Sequence, residues 1–147
     1  MSAGSPVMDR SRFDEYIRRF NAEDASAFDE FLAPDMAMQN GRLRYRGVQG
    51  MKDHYAKIWG RMKETLHVEQ FVTDGERLAV QMHTRFDVLV DDPASLFGPI
   101  RRGERFDFTG LILYRIRDGR FQDIKVAYFD FEHTGTDGVA RSIGIPH

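Results

Sequence analysis

LILYRIRDGRFQDIK, residues 111–125, decides how the chain folds. Read at period two it divides into two strands. Ile112 and Tyr114, with Phe108 before them, share one face, and Leu111 and Leu113 share the other. Asp118-Gly119 falls between the strands as the two-residue turn of a tight hairpin. Working outward, the same alternation covers 105–117 and 120–131, then 76–90 and 65–73, with Asp74-Gly75 as a second hairpin turn. Between strands 76–90 and 105–117 lies a loop, 91–104. Its Leu96, Phe97 and Ile100 are too apolar to be left in water, so they are expected to cover a pocket mouth or a partner subunit.

The first half has a helical period. Phe13, Tyr16, Ile17 and Phe20 stand at i, i+3, i+4 and i+7 of a helix that begins at Asp9. A second, short helix runs from Ala25 to Leu32, with Asp24 at its N-cap and Pro34 closing it. MAMQN (36–40) is a short strand that ends in an Asn-Gly turn. YRGVQGMKDHYAKIWGRM (45–62) is a third helix with Val48, Met51, Tyr55, Ile58, Trp59 and Met62 on one face and His54 at its edge. Three helices followed by a strand meander predict an α+β fold, the helices packed in the concave face of a curved antiparallel sheet. Such a cone has an apolar interior open at one end, a usual place for a small-molecule site. The expected divisions are a flexible arm over 1–8, one domain over 9–131 and a Gly-rich tail over 132–147.

The totals narrow the partners. With 147 residues, one domain can bury a real core. Lys and Arg number 21 and Asp and Glu 23, interspersed, so neither nucleic acid nor an anionic membrane is expected. No cysteine is present, which removes disulfides, zinc–thiolate sites and thiol nucleophiles. No stretch approaches the ~20 apolar residues of a membrane span, and a cytoplasmic protein is the default expectation. The five histidines show no metal-ligand spacing, and neither a GxGxxG nor a P-loop is present, so no cofactor is indicated.

VQMHTRFDVLV (80–90) raises the chemical question. Val80, Met82, Thr84 and Phe86 share one face, and Gln81, His83, Arg85 and Asp87 share the other. The polar row is either solvated sheet carrying ion pairs or, if a bulge reverses the strand, the wall of a site.

Order and residues together resemble the nuclear-transport-factor-2-like superfamily, over roughly 9–131. The cues are FNAEDASAFDEFLAPD (20–35), YRGVQGMKDHY (45–55) and LILYRIRDGRFQDIK. Within it the chain is similar to the SnoaL-like cyclases and the limonene-epoxide hydrolases, through MQNG (38–41), TRFDVL (84–89) and YFDF (128–131). The resemblance implies Arg85 and Asp87 as an acid centre turned inward and Asn40 as a polar anchor. Met38 stands where those hydrolases have a tyrosine, and their second, water-activating aspartate falls at Val126 (or Ala127). Ring closure or isomerisation is therefore implied rather than hydrolysis. His54 falls at a pocket-lining position and is the candidate base. Similarity to the ketosteroid isomerases places Tyr16 and Tyr55 in a hydrogen-bonding pair, with Asn40 at the base position and Ile112 at that of an acid. Similarity to the Asp–His dehydratases offers Asp24 and His67 as an alternative dyad, though Asp24 equally serves as a helix cap. Tyr16, Tyr55, Trp59, Met38, Tyr128 and Asp130 are expected to line the pocket.

The resulting expectation is a cofactor-free acid/base enzyme, a homodimer, acting on a hydrophobic small molecule. The alternatives are a non-catalytic ligand-binding or dimerisation module and an Asp–His dehydratase.

Overall fold

In the computed structural model, which describes residues 7–144, three helices pack against one face of a bent sheet. α1 (Arg10–Asn21) starts where Asp9 caps it, its carboxylate accepting from the Arg12 amide at 2.8 Å. The stripe Phe13, Tyr16, Ile17 and Phe20 is buried as its spacing predicts, each side chain contributing roughly 1.5–3 kcal/mol of apolar burial. Met8 is only 1 % exposed and belongs to the core, so the arm expected over 1–8 does not reach it. Residues 1–6 of that arm lie outside the described residues.

α2 (Ser26–Phe31) and α3 (Gly47–Ala56) follow. α3 is shorter than the 45–62 periodicity suggests. Gly60 takes a positive φ of 88°, which no continuing helix allows. Ile58 stays buried and Trp59 packs on the core, so the apolar spacing was a packing signal beyond the helix itself.

The main strands are β1 (Leu32–Asn40), β2 (Leu43–Arg46), β3 (Met62–Thr73), β4 (Arg77–Val88), β7 (Arg105–Arg117) and β8 (Arg120–Thr134), with β5 (Asp92–Ser95), β6 (Gly98–Ile100) and β9 (Ala140–Ser142) as short additions. The sheet order is β2-β1-β8-β7-β4-β3, and β9 extends it beside β8. Neighbours are antiparallel except β1 and β8, which run parallel. The tail expected from 132 onward is thus partly sheet, in the end of β8 and in β9.

β8 carries two register breaks against β7, which leave Gln122 and Phe129 as extra residues. Bulges bend a strand, and these two curve the sheet around the helices. At the second, a side chain on Gly110 would put its Cβ 2.3 Å from the Ala127 carbonyl oxygen, so only glycine fits there. The 91–104 loop folds as the hairpin β5–β6. Ile100 is buried, Phe97 packs on Phe86, Phe106 and Phe108 at 4.7–5.3 Å between ring centres, and Leu96 stays exposed at the tip.

Candidate active site

The register of β4 decides where its polar row points. Pairing with β7 runs unbroken from Arg77 to Asp87. The bulge that would have reversed the row lies instead in β3, between Val68 and Gln70. Leu78, Val80, Met82, Thr84, Phe86 and Val88 are buried, and Gln81, His83, Arg85 and Asp87 face away from the helices. This corrects the inward placement of Arg85 and Asp87. Turning the row inward would expose Val80, Met82 and Phe86, at roughly 1.5–3 kcal/mol each, and would bury two charges. On the outer face Arg85 donates to Asp107 at 3.0 Å, His83 meets the same carboxylate at 2.7 Å, and Asp87 accepts from Arg105 at 3.0 Å.

The alternative dyad is not assembled either. Asp24 is held by Arg19 at 3.1 Å and by Ser26, whose amide it caps at 3.0 Å. His67 lies on the outer face, its ring parallel to His83. Two expected lining residues also fall elsewhere. The β8 bulge turns Asp130 outward to solvent. Trp59 is stacked on Phe28 at 5.7 Å and packs behind Tyr55 rather than on the cavity.

The other candidates converge. Tyr16, Met38, Asn40, His54, Tyr55 and Tyr128 surround an inner chamber of about 60 Å³ between the helices and the sheet. It opens into a wider mouth of about 610 Å³ rimmed by Leu96, Phe97 and Phe131. Asn40, His54, Tyr55 and Tyr128 line both spaces, and so does a residue the sequence reading passed over, Glu64.

Glu64 stands on the inner face of β3 beside Met62 and opposite Phe86. The residue is only 5 % exposed, and among the described residues its Oε2 has no hydrogen-bond partner. Burial pushes its pKa up to about 8, the Tyr55 hydroxyl acting in the opposite sense. A carboxyl so placed carries its proton at neutral pH and is a donor. Around it, Asn40 donates to the Tyr128 hydroxyl at 3.5 Å. Burial raises the Tyr128 phenol to about 12, while hydrogen bonds from Asn40 and Thr84 pull it down. The His54 ring stacks on Tyr45 at 5.1 Å and meets Tyr55 edge-on at 4.9 Å. Burial first, and then the charge of Lys57, lowers its pKa, which leaves a neutral imidazole at pH 7. A protonated acid and a neutral base therefore share one apolar chamber.

Glu64 was missed because the strand read over 65–73 starts one residue after it. The signal was present: Met62, Glu64, Leu66 and Val68 alternate as an inward row, and a glutamate in an apolar row is an anomaly. Among the described residues, no three His, Asp or Glu side chains are grouped to hold a metal ion, and no helix is long and apolar enough to cross a membrane.

The SnoaL-like domain family matches the chain over residues 13–124. No curated protein matches it. Among solved structures, an LEH-like epoxide hydrolase from M. tuberculosis is 16% identical, with 80% of this chain and 79% of that one covered at a TM-score of 0.64. A candidate polyketide cyclase from Xanthomonas campestris pv. campestris is 20% identical over 80% of this chain and 87% of its own, at 0.66. An NTF2-like protein of unknown function from Burkholderia pseudomallei is 15% identical over 80% and 87%, at 0.64. At these identities the likeness is one of fold.

Proposed function

We propose an acid/base enzyme, and the premise is lineage: the chain belongs to the SnoaL-like family. Its substrate is a small molecule with an apolar body that presents a carbonyl, ether or epoxide oxygen to the inner chamber. The observation that carries this reading is Glu64, a buried carboxyl with one unpartnered oxygen at the junction of chamber and mouth.

The chemistry follows from protonation states. Protonated Glu64 donates to the substrate oxygen as electron density accumulates there. Neutral His54 takes a proton from carbon or from an attacking hydroxyl of the same molecule. One proton enters the substrate and one leaves, so the net change is isomerisation or ring closure, and solvent returns the proton from His54 to Glu64. The Tyr55 hydroxyl steadies the glutamate anion formed in between. A low-dielectric chamber strengthens each of these contacts.

The test is a panel of apolar enolisable ketones, hydroxy-ketones and epoxides, followed by deuterium uptake from solvent and by product formation. Wild type should turn over at least one class, and Glu64→Gln should lose roughly 100-fold or more, while Arg85→Ala on the outer face keeps full rate. Full activity in Glu64→Gln would refute the assignment. Tight binding without turnover across the panel would make the cone a ligand carrier.

A further inference from the structure

A second groove opens beside the mouth, about 470 Å³ in volume, between the turn after α3 and the β5–β6 hairpin. It shares His54, Ile58 and Leu96 with the mouth, so the two spaces adjoin along these side chains. The two spaces differ in chemistry. The mouth is walled by Phe86, Phe97, Phe108 and Phe131, whereas the groove is headed by Lys57 and Arg61.

We infer that the substrate is an amphipathic anion: its apolar body lies in the mouth and its carboxylate, or a similar group, is received in the groove by Lys57 and Arg61. The inference rests on the cone being the substrate site. Its own support is charge and access. Lys57 is exposed and has no acidic partner among the described residues. Arg61 is 56 % exposed at its side chain and, among the described residues, pairs only with Asp92, at 3.3 Å. Asp92 is already engaged, its second oxygen capping the Ala94 amide at 3.0 Å. Two cations against one such anion leave the groove net positive. A helix C-terminus would ordinarily repel an anion, but the carbonyls of His54 and Tyr55 at the end of α3 are occupied by the amides of Lys57, Ile58 and Trp59. Ile58 and Met62, both 3 % exposed, line the groove beside the cations, and Ile58 lines the mouth as well, which gives an alkyl or aryl segment apolar contact on both sides.

Decanoate and decanol are suitable probes, because they share one chain and differ in charge. Binding is read calorimetrically and by the emission of Trp59, the single tryptophan, on the same turn as Lys57 and Arg61. Wild type should bind decanoate about tenfold more tightly than decanol at low salt, with the preference shrinking at 1 M salt. Lys57→Gln combined with Arg61→Gln should erase the preference and leave decanol affinity unchanged, since both side chains are exposed. Equal affinity for the two probes in wild type would overturn the inference. So would a preference that survives in the double variant, because the anion would then sit elsewhere. Turnover does not enter this readout, so an inactive but anion-selective protein would sink the acid/base reading and spare the groove.

Discussion

Glu64→Gln tests the buried carboxyl through stability alone. In the unfolded chain Glu64 has its ordinary value, 4.5, and in the folded chain about 8. Below pH 4.5 both states hold the proton, and the carboxyl adds no penalty. Between 4.5 and 8 the unfolded chain ionises and the folded chain does not, so stability falls by about 1.36 kcal/mol per pH unit. Above 8 both are ionised, and the loss levels at roughly 4–5 kcal/mol. A raised folded pKa therefore works against the fold as pH rises, opposite to a salt-bridged carboxylate.

Glutamine keeps the shape and cannot ionise, so the difference between variant and wild type isolates this one group. Titrations elsewhere in the chain cancel. Urea unfolding at pH 5, 7 and 9 should favour the variant by roughly 1, 3 and 4–5 kcal/mol relative to their common value in acid. Any cost of burying the amide is a constant offset and leaves the slope untouched. A difference that stays flat from pH 5 to 9 would mean that Glu64 is hydrated and ionised normally, and the proton-donor role would fall with it.

Arg85→Ala and Asp87→Asn should each cost under ~1 kcal/mol in the same unfolding assay, since both belong to outer-face ion pairs about 40 % exposed at the side chain; a loss of several kcal/mol would put the row back inside. Leu111 and Leu113 are 54 % and 48 % exposed on the outer face and Phe129 is 61 % exposed. A homodimer that covers this row is expected, so sedimentation should give a dimer for wild type and a monomer for Leu111→Lys with Leu113→Lys. Moving the acid across the chamber, as Glu64→Val with Val126→Glu, should recover part of the turnover lost in Glu64→Val, because residue 126 lines the same two spaces; no recovery would tie function to β3 alone.

The fold was legible because its signals are periodic and long. Residues 111–125 form the β7–β8 hairpin about Asp118-Gly119, where both turn residues take the positive φ that an Asp-Gly pair favours. α1 needed only its four-residue stripe and Asp9. What was not legible came from single-residue events. The bulges at Gln122 and Phe129 leave no period-two signature, yet they decide that Tyr128 and Phe131 both turn inward while Asp130 turns out. β1 begins four residues before the expected strand because its first part pairs in parallel with β8, a long-range contact that local pattern does not encode.

The site was harder for a different reason: resemblance supplied the location of a cavity more dependably than the identity of its acid. Asn40, Tyr16, Tyr55, His54 and Tyr128 were carried over by position, and the structure places all five around one chamber. The carboxyl was carried over to β4, where the unbroken alternation of Val80, Met82, Thr84 and Phe86 already opposed it. Burying those side chains outweighs any gain from an inward ion pair, so local periodicity should overrule positional likeness wherever the two disagree on parity. The same rule, applied one strand earlier, finds Glu64. A glutamate among Met62, Leu66 and Val68 has no apolar reason to be there, and burial costs the ionised form several kcal/mol. A chain that keeps such a group, with one oxygen unpartnered, forgoes stability that a methionine would supply. On the proposed function, that cost is offset by a ligand that completes the hydrogen bond and by chemistry that uses the proton.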